Sequence, residues 1–299
     1  MKINALLIFF FLPFFALAKR PASYFSAKNR VVAIGDIHGD FNALIQALRL
    51  ARVIDVQKRW IGKNTFLIQV GDLLDRGNDE RQLIDFLSAL KLSAKAFGGN
   101  VFVLNGNHET MNVDLDFRYV TRQGFDDFKD FYHNNSTDDS VLLSFPKYQR
   151  GRVIAFRPGG DYALKLSQHN TLMVIGKTLF VHGGLTPKYM KMEIEKINQL
   201  VSLWMRGNSK RPELVIDEKG PLWSRNYSSE NSAEKCKQLK RVLKYLNLDR
   251  MVVAHTVHNQ INSECDQKVW RIDVGMSQAY GGQGQVLEIL DDKTINILK

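Results

Sequence analysis

The sequence predicts an α/β protein whose sheet begins as a βαβαβ unit. Three observations lead to that fold class. From Val31 to Leu104, short apolar runs alternate with segments of helical periodicity, as parallel strands joined by crossover helices do. Each run ends in a polar turn bearing Asp, Asn or His. The same punctuation recurs after Val181 and after Ala254. Ligands of open α/β sheets bind at the carboxyl ends of strands, so these five ends can serve one cleft.

Taken in order, residues 1–18 are a leader. Lys2 precedes sixteen uncharged residues, Ile3 to Ala18, that close on Ala16-Leu17-Ala18. This is the pattern of a secretory signal peptide with its small-residue cleavage site, and the run is shorter than the ~20 residues of a spanning helix. Lys19-Arg20 directly after the site suits export poorly, which leaves an uncleaved membrane anchor as the alternative. The mature protein is expected in the periplasm or secreted. Residues 19–29 read as a polar linker.

Val31 to Ile34 is the first strand, followed by Gly35-Asp36-Ile37-His38-Gly39-Asp40. Asp36 and His38, two apart, share a side in extended backbone. Phe41 to Ala51 has helical spacing with Asp40 as N-cap. Thr65 to Val70 is a buried strand leading into Gly71-Asp72-Leu73-Leu74-Asp75-Arg76-Gly77. The glycine permits the turn that aims Asp72 and Asp75 into the cleft, beside the permanently charged fork of Arg76. Alone, such a cluster reads as a loop with capping acids; its recurrence at other strand ends changes that reading. A helix over Asp79 to Leu92 leads to the strand Val101 to Leu104, then Asn105-Gly106-Asn107-His108-Glu109.

Periodicity weakens between residues 110 and 160, which read as a small helical insertion beside the cleft, with a helix over Asp114 to Tyr132 and a polar loop over 134–139. His133 and His169 read as surface or capping residues. Leu172 to Val181 is a strand pair turning at Gly176-Lys177 and ending at His182. Helices are expected over Pro187 to Met205 and Ala233 to Leu246, a strand over Met251 to Ala254 before His255, and antiparallel strands over 269–274, 285–290 and 294–298. No internal repeat or interdomain linker interrupts the 299 residues.

The net charge of +10 could draw nucleic acid, anionic membrane or phosphorylated substrates. The cations are scattered without an aromatic-interleaved basic strip, so no nucleic-acid partner is expected. Cys236 and Cys265 offer one disulfide or two thiols, and neither lies in a C-x-x-C redox motif.

The strand ends gather Asp36, His38, Asp72, Asn107, His108, His182 and His255. Oxygen and imidazole donors without thiolate suit Mn, Fe or Zn. They are too many for one ion and fit two divalent ions sharing a carboxylate, ~3.5–4 Å apart in such sites.

Gly-Asp-Ile-His-Gly, Gly-Asp-Leu-Leu-Asp-Arg-Gly and Gly-Asn-His-Glu, in that order, resemble the motifs of the calcineurin-like metallophosphoesterases. The Asp-Arg-Gly ending points to their phosphoprotein-phosphatase branch. Met111-Asn112-Val113, Asp116 to Val120, Arg157 to Gly160, Leu222 to Arg225 and Arg271 to Met276 resemble the Shewanella-like protein phosphatases. The resemblance implies a sandwich of mixed β-sheets flanked by helices, with residues 30–299 as the catalytic domain. It implies that Asp36, His38 and Asp72 hold one metal, and Asp72, Asn107, His182 and His255 the other. His108 would protonate the leaving group, oriented by Asp75, and Arg76 and Arg225 would clamp phosphate. Glu109 would support by hydrogen bonding, His258 would be structural, and Tyr280 would border the cleft. Gln278 to Gly282 does not reproduce the toxin-binding loop of the eukaryotic phosphatases. The implied activity is hydrolysis of phosphorylated Tyr or Ser/Thr in protein by a metal-bridging hydroxide. The alternatives are a nucleotide or dinucleoside-polyphosphate hydrolase, or a periplasmic metal-binding adaptor on the same scaffold.

Overall fold

A computed structural model describes residues 20–27, 30–133, 139–230 and 232–299. The expected leader and most of the expected polar loop, residues 134–138, lie outside the described residues. Among the described residues, eleven strands form two sheets. The strands are β1 (Tyr24–Phe25), β2 (Arg30–Ile34), β3 (Phe66–Gln69), β4 (Asn100–Val103), β5 (Leu172–Ile175) and β6 (Thr178–Val181). They continue with β7 (Arg250–Val253), β8 (Asn262–Glu264), β9 (Val269–Arg271), β10 (Val286–Leu290) and β11 (Thr294–Leu298). One sheet runs β11-β10-β2-β3-β4 and the other β1-β5-β6-β7-β9-β8. β2, β3 and β4 are parallel, as the alternating pattern predicts, and α1 (Phe41–Leu50) and α2 (Glu80–Ala96) join them. Asp40 caps α1, accepting from the Ala43 amide at 2.9 Å.

The six-stranded sheet is buried on both faces. Met173 and Ile175 of β5 join the core shared with the five-stranded sheet, α1 and α2. Their neighbours Leu172 and Val174 face a second core with α8 (Ile194–Met205) and α9 (Ala233–Leu246). The same split holds for Val252 against Met251 and Val253 of β7. This is the two-residue alternation of a strand with apolar contacts on both sides.

Several segments depart from the expectations. Within the expected linker, β1 pairs in parallel with β5, and Ser23 is buried where its hydroxyl accepts from Asn198 Nδ2 at 2.9 Å. Helix over Asp114 to Tyr132 is limited to α4 (Arg122–Asp126) and a 3-10 turn at Lys129–Phe131. Leu115 adopts a positive φ of 64° and breaks the helix, and the Tyr119 carbonyl is occupied by the Arg76 amide at 3.1 Å. The helix expected from Pro187 begins at Ile194; ahead of it Lys188 and buried Tyr189 are both held by Asp217, the tyrosine at 2.5 Å. In the tail, β10 and β11 are antiparallel, but β9 runs parallel to β7 and antiparallel to β8, a strand the sequence reading did not anticipate. The insertion carries α5 (Ser140–Leu143) and α6 (Arg150–Phe156), followed by α7 (Asp161–Leu166). It has its own small core of Phe117, Phe125, Leu142 and Val153.

Candidate active site

The loops after β2, β3, β6 and β7, with α3 (Asn107–Val113) after β4, meet where the carboxyl ends of both sheets converge. The amides of Ile37 and His38 both donate to the Asp72 carbonyl at 3.0 Å. His38 therefore sits at a φ of 47° rather than in the extended backbone expected for Asp36-Ile37-His38. Asp72, Asp75, Arg76 and His255 also have positive φ, a conformation rare outside glycine. The loops after β3 and β4 touch backbone to backbone. A Cβ on Gly71 would lie 2.6 Å from the Gly106 nitrogen, and one on Gly106 would lie 2.1 Å from Asp72 Oδ1. Buried Glu109 ties these loops together, accepting amides from Asp72, Leu73, Leu74 and Gly106.

The side chains gathered there carry lone pairs in conflict. His182 Nδ1 donates to the Val70 carbonyl at 2.9 Å, which leaves Nε2 without that proton. Nε2 then faces Asn107 Oδ1 at 2.9 Å, His255 Nδ1 at 3.1 Å and Asp72 Oδ2 at 3.2 Å. A proton satisfies one such contact, and the charge of Asp72 holds the His182 imidazole above its usual range despite burial. A metal cation satisfies all of them. On the other side, His38 Nδ1 is fixed by the Leu74 carbonyl at 3.0 Å, and Nε2 faces Asp36 at 3.9 Å and Asp72 at 3.8 Å. Burial drives His38 down to about 4 and His255 to about 2, so both imidazoles are neutral donors. Asp36 is pushed well above the carboxylate range by burial and by the charges of Asp273 and Asp72, as crowded buried carboxylates are. Donor atoms of His38, Asp72 and His108, and separately of Asp72, His182 and His255, lie within 4.8 Å of one another. The set fits two cations with Asp72 between them.

His108 follows Asn107 in α3, and its Nδ1 meets Asp75 Oδ2 at 2.6 Å. Burial opposes charge on this imidazole, but Asp72 and Asp75 overcome it and raise His108 to about 9. Its Nε2 edge faces the cluster, 3.7 Å from Asp72. Asn112 holds the other Asp75 oxygen at 3.0 Å and receives the fully buried Arg152 Nε at 2.8 Å. Arg152 forks onto Glu80, whose carboxylate accepts the Asp75 amide. This network anchors the dyad to α6 of the insertion.

Two arginines stand at the rim, both exposed. The Arg76 guanidinium stacks 4.0 Å from the Tyr119 ring and 5.8 Å from Tyr280, and pairs with no carboxylate among the described residues. Arg225 donates to the His255 carbonyl and to Thr256 Oγ1, each at 2.8 Å.

The calcineurin-like phosphoesterase family model matches residues 29–259. The chain belongs to that family. It is 35% identical to Shewanella-like protein phosphatase 2 of Arabidopsis thaliana over 92% of this chain and 78% of the relative. Shewanella-like protein phosphatase 1 of Plasmodium berghei is 31% identical over 84% of this chain and 68% of its own length. Among solved structures, a cold-active protein-tyrosine phosphatase of a psychrophilic Shewanella shares the fold with a TM-score of 0.74 and 24% identity, covering 95% of this chain and 84% of that one. The chain is thus a metal-dependent phosphatase by family.

This phosphoesterase brings all ten predicted site residues to one cleft. Glu109, His258 and Tyr280 also take supporting places: His258 Nε2 meets the Ser228 carbonyl at 2.7 Å, and the Tyr280 ring lies 5.3 Å from His38. His133 is exposed. His169, expected at the surface, is drawn partly inside, with Nδ1 shielded and unpartnered. The sequence reading missed Asp273, which shares a hydrogen bond with Asp36. It also missed Tyr119, Asn112, Arg152 and Glu80. Asp273 ends a strand as the metal-ligand candidates do, and that position was the available signal.

Proposed function

We propose that this phosphatase is a two-metal phosphomonoesterase of phosphorylated protein, acting outside the cytoplasm and favouring phosphotyrosine. The observation that carries the reading is the convergence of His38, Asp72, His182 and His255, with Asp36 and Asn107 against His38 and His182, beside a buried His108–Asp75 pair and two rim arginines. Asp36, His38, Asp72, Asn107, His182 and His255 would hold divalent ions, which would supply positive charge for phosphoryl oxygens and lower the pKa of water.

The chain's own groups do the rest. Arg76 and Arg225 receive equatorial oxygens through planar forks, holding phosphorus in line. Asp75 keeps the His108 Nδ1 proton in place and its charge positive, so Nε2–H can pass a proton to the departing oxygen. Tyr119 and Tyr280 flank Arg76 and offer faces on which a phosphotyrosine ring can rest. The relatives named protein phosphatases support a protein substrate. The leader at residues 1–18 supports export, as does the Cys236–Cys265 disulfide, a bond suited to oxidising compartments.

The test is turnover on a panel of phosphotyrosine, phosphoserine and phosphothreonine peptides against nucleotides and dinucleoside polyphosphates, using protein reloaded with Mn, Fe or Zn singly. Phosphotyrosine peptides lead if the reading is right; preferential nucleotide hydrolysis overturns it. Elemental analysis should find two ions per active chain, and one ion in fully active protein rules out the shared site. Mass spectrometry of the cell-derived amino terminus should begin at Lys19; an intact Met1 in a soluble cytoplasmic fraction refutes export.

A further inference from the structure

Arg225 also lines a groove of about 720 Å³. It lies between the turn after Gly220, the loop at Ser224 to Ser229 and the first turns of α9. Its lining is polar apart from Pro187, Ala-free and without an aromatic face, so it is unsuited to an apolar ligand. Lys188 of this wall is neutralised by Glu213 and Asp217. Lys219 and Arg241 have no carboxylate partner among the described residues and are exposed, and Lys235 reaches only the Glu230 carbonyl, at 2.7 Å. With Arg225 these make four uncompensated cations against the two acids of the lining, Glu218 and Glu234.

The groove is built rather than loose. Thr186 Oγ1 holds the Lys219 carbonyl at 2.8 Å, Asn226 Nδ2 reaches Gln238 on α9 at 3.2 Å, and the disulfide pins α9 to the turn after β8. It meets the reaction centre at Arg225, whose Nη1 touches the His255 carbonyl. The separate pocket that Arg76 lines carries Asp40 and Asp79 instead. The surroundings of the two arginines therefore differ in sign.

We propose that this groove is a subsite for an anionic residue of the substrate, a carboxylate or a second phosphate, lying on one side of the phosphorylated residue. The inference rests on the protein-phosphatase reading above and adds a substrate class to it. A peptide bound through its phosphate between Arg76 and Arg225 lays one flank along Lys219, Lys235 and Arg241. Each exposed ion pair yields up to about a fivefold gain, and the gain fades as salt shortens the screening length below ~10 Å.

The experiment measures kcat/KM on phosphotyrosine peptides with neutral flanks, with three aspartates or three lysines on either flank, and with a second phosphotyrosine on either flank. Aspartates or the second phosphate on one flank should raise kcat/KM about five- to tenfold at low salt, lysines there should lower it, and aspartates on the other flank should bring no gain. The double variant Lys219→Glu, Arg241→Glu should lose or invert that preference while turning over p-nitrophenyl phosphate as the parent does. Phosphopeptide turnover indifferent to flanking charge, or a preference unchanged in the variant, overturns the subsite alone. Turnover of p-nitrophenyl phosphate without any phosphopeptide overturns both this and the protein-phosphatase reading.

Discussion

Replacing Asp75 by Asn tests the proton-donor role most sharply. The native pair is buried, with His108 Nδ1 and Asp75 Oδ2 2.6 Å apart. Asp72 and Asp75 both raise His108, and Asp75 is the one hydrogen-bonded to its ring. With a pKa of about 9, His108 is almost wholly protonated at pH 7.5. At the ordinary value near 6.5 only about a tenth of it is. Asp75→Asn removes the hydrogen-bonded carboxylate and should thus lower both the protonated fraction and the orientation of His108, a loss toward the 10²–10⁴-fold typical of general acids. The sign of the pH effect follows. The donor is active below its folded pKa, so parent activity on a phosphoserine peptide holds until pH nears 9, whereas the variant, with Asp75's charge and hydrogen bond gone, should begin to fall at lower pH. p-Nitrophenyl phosphate, whose leaving group scarcely needs a proton, should show little of either effect. The assay is kcat on both substrates from acid to alkaline pH, with metal content measured alongside. His108→Asn should follow the same pattern, and the double variant should lose little more than either single one. Equal losses on both substrates with metals retained refute the reasoning and make His108 a ground-state phosphate binder.

Three further outcomes can be checked. Gly106→Ala, whose Cβ would fall 2.1 Å from Asp72 Oδ1, should displace the shared carboxylate and reduce bound metal, read by elemental analysis of folded protein. Arg152→Met leaves buried Glu80 without its fork and should destabilise by about 3–5 kcal/mol in urea titration, much of it recovered in the Arg152→Met, Glu80→Leu double variant. Removing the disulfide by Cys236→Ser with Cys265→Ser opens a link across 29 residues and should cost about 3–4 kcal/mol on loop-entropy grounds, with denaturant midpoints as the readout.

The ligand set was legible because each member follows a short apolar run, and strand ends in an α/β sheet converge whichever order the strands take. Local pattern served less well where partners are distant in sequence. Arg152 lies in a weakly periodic stretch and gains meaning only through Glu80, 72 residues away. Tyr119 was read as helix because nothing nearby reveals that Arg76 will stack on it. The helix expected from Pro187 starts only past Tyr189, which Asp217 holds. β1 is two residues long, too short for any periodicity, and exists because β5 offers it an edge. The parallel pairing of β9 with β7 was hidden for a related reason: strand partners are chosen by topology, and alternation shows only that a strand exists.

His38, Asp72, Asp75, Arg76 and His255 all hold left-handed backbone conformations, each about 1–2 kcal/mol uphill for an L-residue. Summed over five, that rivals the whole net stability of an ordinary domain, roughly 5–15 kcal/mol. The same loops crowd carboxylates that repel one another until cations arrive. Cations held by these residues should therefore stabilise the loops that carry the chemistry. Proteases that sample local openings should remove unloaded molecules first and spare loaded ones, since ligand binding to the folded state suppresses opening by mass action. Protease resistance measured with and without added metal is the readout.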